Sequence, residues 1–203
     1  MKRFLLTLII CMLCFVGCSK EGDTGNGTQE VVSKKYSIGD EIDLAGTMFN
    51  VYKVDDDNHE LYLMAQSNIA ATPFSNSERE QKYFHNYEGS LIEGYVNRFV
   101  DDLEDVGIVI KSSGIIDKDD LCDLGFEIDG LNGSRYKIGD TPNFIKIEDN
   151  FWVDGYCRYD TFAWAYRYGF LETDKCEKEY GVRPVIVIDV SEVDKPLQKE
   201  DDD

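Results

Sequence analysis

From Phe162 to Phe170 every second residue is aromatic, in the order Phe162, Trp164, Tyr166, Tyr168 and Phe170, and Ala163, Ala165 and Gly169 lie among the residues between. Side chains on a strand alternate between its two faces, whereas a helix would scatter the same rings around its circumference. The run predicts one strand with an aromatic face and a mostly small-residue face. An aromatic face has to be covered by something. Covered by the rest of the chain it is core; left open, the rings of Trp152, Trp164, Tyr166 and Tyr168 form a candidate ligand-binding platform. Flat rings stack on sugar faces and supply large contact area at protein interfaces.

Other segments carry equally local signals. Thr47 to Val54 and Glu60 to Ala65 are strand-like runs joined by the polar turn Asp55 to His59, which predicts a hairpin and accounts for His59 as a turn residue. Ser90-Leu91-Ile92-Glu93 is a capping box. Leu91, Ile92, Tyr95, Val96, Phe99, Val100 and Leu103 then follow at helical spacing. A second, short helix is expected from Lys118 to Leu124, capped by Asp117 and stopped at Gly125, with Cys122 on it as a small buried apolar residue. A last strand is expected from Val182 to Val190, its Arg183-Pro184 suiting a strand start or edge.

The N-terminus is of another kind. Lys2 and Arg3 precede an apolar stretch from Phe4 to Val16, and Phe15-Val16-Gly17-Cys18 has the form of a site cleaved before a cysteine that is then lipidated. The apolar stretch falls short of the roughly 20 residues that cross a bilayer. Residues 1–17 thus read as a lipoprotein signal peptide, and 18–33 as lipidated Cys18 followed by a flexible Gly- and Thr-rich tether reaching roughly 20 Å. Residues 34–193 read as one domain and 194–203 as an acidic disordered tail. Each buried acyl CH₂ contributes about 0.8 kcal/mol, so the acyl chains (palmitate among them) on Cys18 would hold the protein on a membrane without crossing it. Ser19 follows the cysteine where an inner-membrane retention signal would place Asp. The expected location is therefore the outer membrane of a Gram-negative cell, with Lys20-Glu21 as a weak pointer to the cell surface.

Charge narrows the partners. The chain has 21 basic and 40 acidic residues, net −19; removal of residues 1–17 takes away Lys2 and Arg3 only, leaving 19 against 40, net −21. Such a surface repels phosphate backbones, so nucleic acid is not expected as a partner. The acidic clusters Asp55 to Asp57, Asp101-Asp102, Asp117 to Asp120 and Glu200 to Asp203 lack the spacing of a calcium loop and read as solvated turns and tail. With only His59 and His85 as imidazoles and no Cys-x-x-Cys pair, neither metal nor cofactor is expected. Beyond the signal and Cys18, the cysteines are Cys122, Cys157 and Cys176. An oxidising envelope permits a disulfide, for which Cys157 and Cys176 are the expected pair, since they flank one segment.

The order of elements resembles a bacterial domain of unknown function related to the C-type-lectin-like fold of formylglycine-generating enzymes (sulfatase-modifying factors). The resemblance rests on Tyr87-Glu88-Gly89-Ser90 at the helix start with Asn97 near the helix middle, the Trp152 strand, and Gly181-Val182-Arg183-Pro184 in the last strand. Trp152 is followed by Val153-Asp154-Gly155, where the family often has Ser-Pro. The resemblance implies an α+β fold, a C-type-lectin-like mixed domain of small antiparallel sheets with one or two packed helices and long loops. It also implies a structural Arg183, holding buried carbonyls or a carboxylate such as Glu88. It does not carry the oxidase chemistry over. That reaction takes two closely placed cysteines for soft Cu(I), and Cys157 and Cys176 are far apart in sequence. No Gly-x-Ser-x-Gly elbow is present and no catalytic residue can be named. The expectation is a displayed binding module for a carbohydrate or protein ligand. The alternatives are a structural subunit of an envelope assembly and an enzyme related to formylglycine-generating proteins.

Overall fold

A computed structural model describes residues 32, 35–75, 87–128, 135–146, 149–157 and 161–194. The signal, Cys18, the tether up to residue 31, and tail residues 195–203 lie outside that set.

The predicted hairpin is present as β2 (Thr47–Asp55) and β3 (Glu60–Ala65). Its turn is held by Asp55, whose carboxylate accepts from the N–H groups of Asp57 and Asn58, each at 3.0 Å. With β1 (Glu41–Leu44), β5 (Ile110–Ile115) and β12 (Pro184–Asp189) it builds an antiparallel sheet in the order β1-β2-β3-β12-β5. The Val/Ile run of β12 occupies an interior position of this sheet, and its residues from Pro184 to Ile188 are all buried. A near-continuous apolar strand is what burial on both faces requires.

Sheet two takes β4 (Ala70–Pro73), β11 (Glu179–Val182), β8 (Phe151–Val153), β9 (Phe162–Arg167), β10 (Phe170–Lys175), β7 (Arg135–Ile138) and β6 (Phe126–Ile128), in that order. Its pairs are antiparallel apart from β11 beside β8, which touch in parallel at Gly181 and Phe151. Two helices, α1 (Leu91–Asp105) and α2 (Lys118–Asp123), complete the described α+β architecture. At five and seven strands the sheets are larger than the small ones expected.

Helix α1 starts as its capping box dictates. The Ser90 side chain accepts from the Glu93 N–H at 3.1 Å, while the Glu93 carboxylate reaches back to the Gly89 N–H. Asp117 caps α2 in the same way, accepting from the Asp119 N–H. Along α1, Leu103 packs onto the first sheet with Phe49, Leu61, Leu63, Ile186 and Ile188, and Ile92 and Val96 pack onto the second with Trp152, Ala163 and Ala165. The helix thus covers a face of each sheet. The sheets' other faces meet each other, where Tyr52, Met64 and Val185 oppose Phe151, Val153, Trp164, Tyr166 and Leu171. Val51 and Tyr52 face opposite cores by the alternation of a strand, and the register shift between Val51 and Lys53 turns Val54 back to the core that holds Val51.

Two sequence expectations are corrected. The aromatic run is a hairpin, not one strand: β9 ends at Arg167, and Tyr168 and Gly169 turn with φ of +48° and +84° before β10 begins at Phe170. Two consecutive residues with positive φ form the turn whose twist suits paired strands, and glycine fills the second position without strain. The register pairs Arg167 with Phe170 and Tyr166 with Leu171, so Phe170 lies on the face opposite Trp164 and Tyr166, and the aromatic face ends at the turn. The expected strand from Val182 to Val190 is likewise two strands in different sheets, divided at Arg183.

Trp152 is the central packing element on the α1 side of the second sheet. It is fully buried opposite Ala165, its indole N–H donates to the Thr72 carbonyl at 2.8 Å, and its ring meets Phe74 and Tyr180 edge to face at 5.4 and 4.7 Å. Trp152→Ala is expected to cost about 4 kcal/mol, read as a lowered urea midpoint at unchanged slope. A loss below about 1 kcal/mol would contradict this placement.

Candidate functional site

The structure puts the four proposed platform rings in two different environments. Trp152, Trp164 and Tyr166 are core residues, and Tyr168 stands exposed at the tip of the β9–β10 turn. Trp164 spends its indole N–H on the Tyr156 carbonyl at 2.9 Å, and Tyr166 stacks on Phe151 at 4.8 Å. The expectation of an open ring platform is therefore corrected. Alternation predicted the aromatic face, and the first sheet covers it.

The cysteines behave as follows. Cys157 and Cys176 are buried free thiols, and Cys122 is half-buried rather than buried. Burial pushes the Cys176 thiol up to about 12, and negative charge on nearby Cys157 would push it the same way. The bordering strands bring the two loops together: the Cys176 N–H donates to the Thr161 carbonyl at 2.9 Å, one residue beyond the pairing of Lys175 with Phe162. Oxidation by a small disulfide reagent is expected to join Cys157 to Cys176. Both thiol protons would leave, and two electrons would pass to the reagent, which departs as two thiols. Peptide mapping should recover that bridge, with Cys122 alkylated; three alkylated cysteines after oxidation would exclude it.

Polar side chains converge at two further places. Asp174 is buried and accepts from the Tyr180 hydroxyl at 2.6 Å, from Lys178 at 2.9 Å and from Arg167. Burial alone would raise its pKa, but the bonds from Tyr180, Lys178 and the Lys175 N–H outweigh it and hold the carboxyl below its ordinary 3.8. A depressed acid stabilises the fold above its unfolded pKa and loses that contribution as pH falls through the folded value. Asp174→Asn is expected to cost about 3 kcal/mol at neutral pH. The difference from the parent chain should shrink as pH drops below 3.8. A difference constant from pH 7 down to about 2 would show that ionised Asp174 contributes nothing.

The second convergence is an open cleft of ≈430 Å³ lined by Gly39, Glu41, Asn50, Gln66, Asn143, Phe144 and Arg183. The lining comes from the turn before β1, the strands β1 and β2, the end of β3, the 3-10 turn Asn143–Ile145, and the junction of β11 and β12. Arg183 is 1% exposed. Its Nε donates to the Ala65 carbonyl at 2.6 Å and its Nη2 to the Phe144 carbonyl at 3.0 Å, while Nη1 has no partner. Burial draws the guanidinium pKa down to about 10, with Tyr166 pulling slightly the other way. That is a penalty of roughly 3 kcal/mol on the charged form, yet the group stays protonated at neutral pH.

Arg183 does hold buried carbonyls, as the resemblance implied. Glu88 is not among its bonded partners; it lies exposed at the start of α1. The cleft itself had no sequence signal, because its lining residues are spread from Gly39 to Arg183. Another open cleft of ≈430 Å³ lies among Asn68, Ala71, Asn150, Tyr180 and Gly181, where the Asn68 side chain donates to the Asn150 carbonyl at 3.3 Å. A Cβ on Gly181 would fall 2.0 Å from the Asn68 amide nitrogen, so a side chain there would collide with it.

Among the described residues no three or more His, Cys, Asp or Glu side chains group as metal ligands, and no helix is long and apolar enough to cross a membrane. No family model, no curated protein and no solved structure matches the chain.

Proposed function

We propose that the chain is a lipid-anchored binding module of the bacterial envelope. In this reading residues 1–17 are removed, Cys18 is acylated, and the domain stands at the outer membrane on its tether with a C-type-lectin-like fold. The ligand, a carbohydrate or a protein segment, enters a cleft between loops and strand ends. The observation that carries the reading is the Arg183 cleft, whose lining combines amides, one carboxylate and one guanidinium with the half-buried Phe144. Polar groups of fixed direction around a partly apolar concavity suit recognition. A hydrolytic or acyl-transfer site would add a nucleophile beside a base, and Ser, Cys and His are missing from this lining.

The anchor and the cleft are tested separately. Metabolic labelling with an alkyne fatty acid should tag the full chain and should fail for Cys18→Ser; labelling that survives the substitution overturns the anchor. A screen of glycans and peptides against the full chain should return a ligand whose affinity falls about tenfold for Asn143→Ala combined with Gln66→Ala. A ligand insensitive to that pair overturns the cleft as its site, and isolation of the chain only as a fixed-ratio envelope complex favours the structural-subunit reading.

A further inference from the structure

We infer that the Arg183 cleft binds a small ligand through a single carboxylate. The inference rests on the binding-module reading and adds the chemical class of the ligand.

The fold leaves part of one buried guanidinium unsatisfied. A guanidinium presents five N–H donors in one plane. Anchoring the chain explains two of them, on the Ala65 and Phe144 carbonyls. It does not explain Nη1, which is buried and unpartnered. Nor does any described carboxylate form an ion pair with Arg183, whereas Arg135 and Arg167 both pair with Glu172 and Arg167 also with Asp174. A buried cation usually has an anion or a full set of hydrogen bonds, because desolvation is costly for charge. Arg183 has neither; besides the two carbonyls it faces the Phe151 ring at 5.5 Å, a weaker partner than an anion, and it lines an open cleft.

The edge formed by Nη1 and Nη2 matches the two oxygens of a carboxylate, which take parallel hydrogen bonds from it. Arg183 is 1% exposed and its Nη1 is buried, so binding includes a side-chain rearrangement in the lining. Gln66 and Asn143 supply amide donors and acceptors for neighbouring hydroxyl or amide groups of the ligand, Asn50 is buried with its Nδ2 on the Gly39 carbonyl, and Phe144 offers an apolar surface. Glu41 at the same cleft and the chain's net charge of −19 act against ligands with two or more negative charges. A monocarboxylate satisfies both conditions. Acidic sugars and peptide-like acyl amino acids share this chemistry.

The test is calorimetric titration of the full chain with glucuronate, N-acetylneuraminate and hippurate, each beside its methyl ester, and with inorganic phosphate. The expected result is that at least one acid binds about tenfold or more tighter than its ester and that phosphate binds weaker than that acid. Which acid wins separates the sugar from the peptide-like source. Glu41→Gln, an exposed position, should tighten acid binding about threefold by removing a like charge, and Gln66→Ala should weaken it. Arg183→Lys should abolish the preference for acid over ester; if that variant does not fold, the Glu41 and Gln66 variants decide the matter. Equal binding of acid and ester, or acid binding unmoved by both variants, overturns the inference. A neutral ligand displaced by cleft substitutions overturns the carboxylate and leaves the binding module standing, whereas no ligand in either screen removes both.

Discussion

The guanidinium of Arg183 sits where the chain passes from one sheet to the other, and the two sheets keep their relative places through it. Before it, Val182 ends β11 in the second sheet; after it, Pro184 begins β12 in the first. Its bond to the Ala65 carbonyl fixes the end of β3, the strand beside β12, and its bond to the Phe144 carbonyl fixes the loop before β8. Proline at the next position removes a backbone donor and restrains Arg183 toward extended backbone, which suits a strand-to-strand passage. A short crossover tied by these two bonds lets β12 enter an interior position of its sheet with both faces buried.

From that junction the rest of the packing follows. With the sheets face to face, the Trp164 and Tyr166 side of β9 can only be core, and its Ala163 and Ala165 side has the depth for Trp152 and the first turns of α1. Small residues opposite a large one fill space without strain. The open end of the second sheet's hairpin is closed electrostatically, by Asp174 drawing in Tyr180, Lys178 and Arg167. This cluster is part of the framework, because its charges are paired with one another; Arg183 differs in meeting two carbonyls and the Phe151 ring at 5.5 Å but no described carboxylate.

What was legible in the sequence was what a few adjacent residues decide. Ser90 with Glu93, Asp117 before Lys118, and the acidic turn after β2 each satisfy nearby backbone donors, so their structures needed no distant information. The aromatic face was legible too, but its cover was not, since Tyr52 and Met64 of the first sheet lie far away in sequence. The Tyr168-Gly169 turn was not legible, because aromatic residues run through it at every second position and a tyrosine at positive φ is uncommon. Arg183 was legible as structural, but the unpartnered Nη1 and the cleft were not. Their meaning depends on Asn50, Gln66 and Phe144, which only the folded chain brings together.

An acidic surface and a buried cation need not oppose each other in selecting a ligand. Charges in 0.15 M salt are screened over about 8 Å, so the chain's net charge acts mainly on what approaches its outer face. Multiply charged anions meet repulsion there that grows with their charge. A singly charged group entering the cleft leaves most of that field behind and meets Arg183 in surroundings where water competes poorly for its hydrogen bonds. The same burial that costs the guanidinium its hydration thus raises the value of one correctly shaped anion. A lysine could not do the equivalent work, because its ammonium has no rigid edge with which to hold two backbone carbonyls and a carboxylate at once.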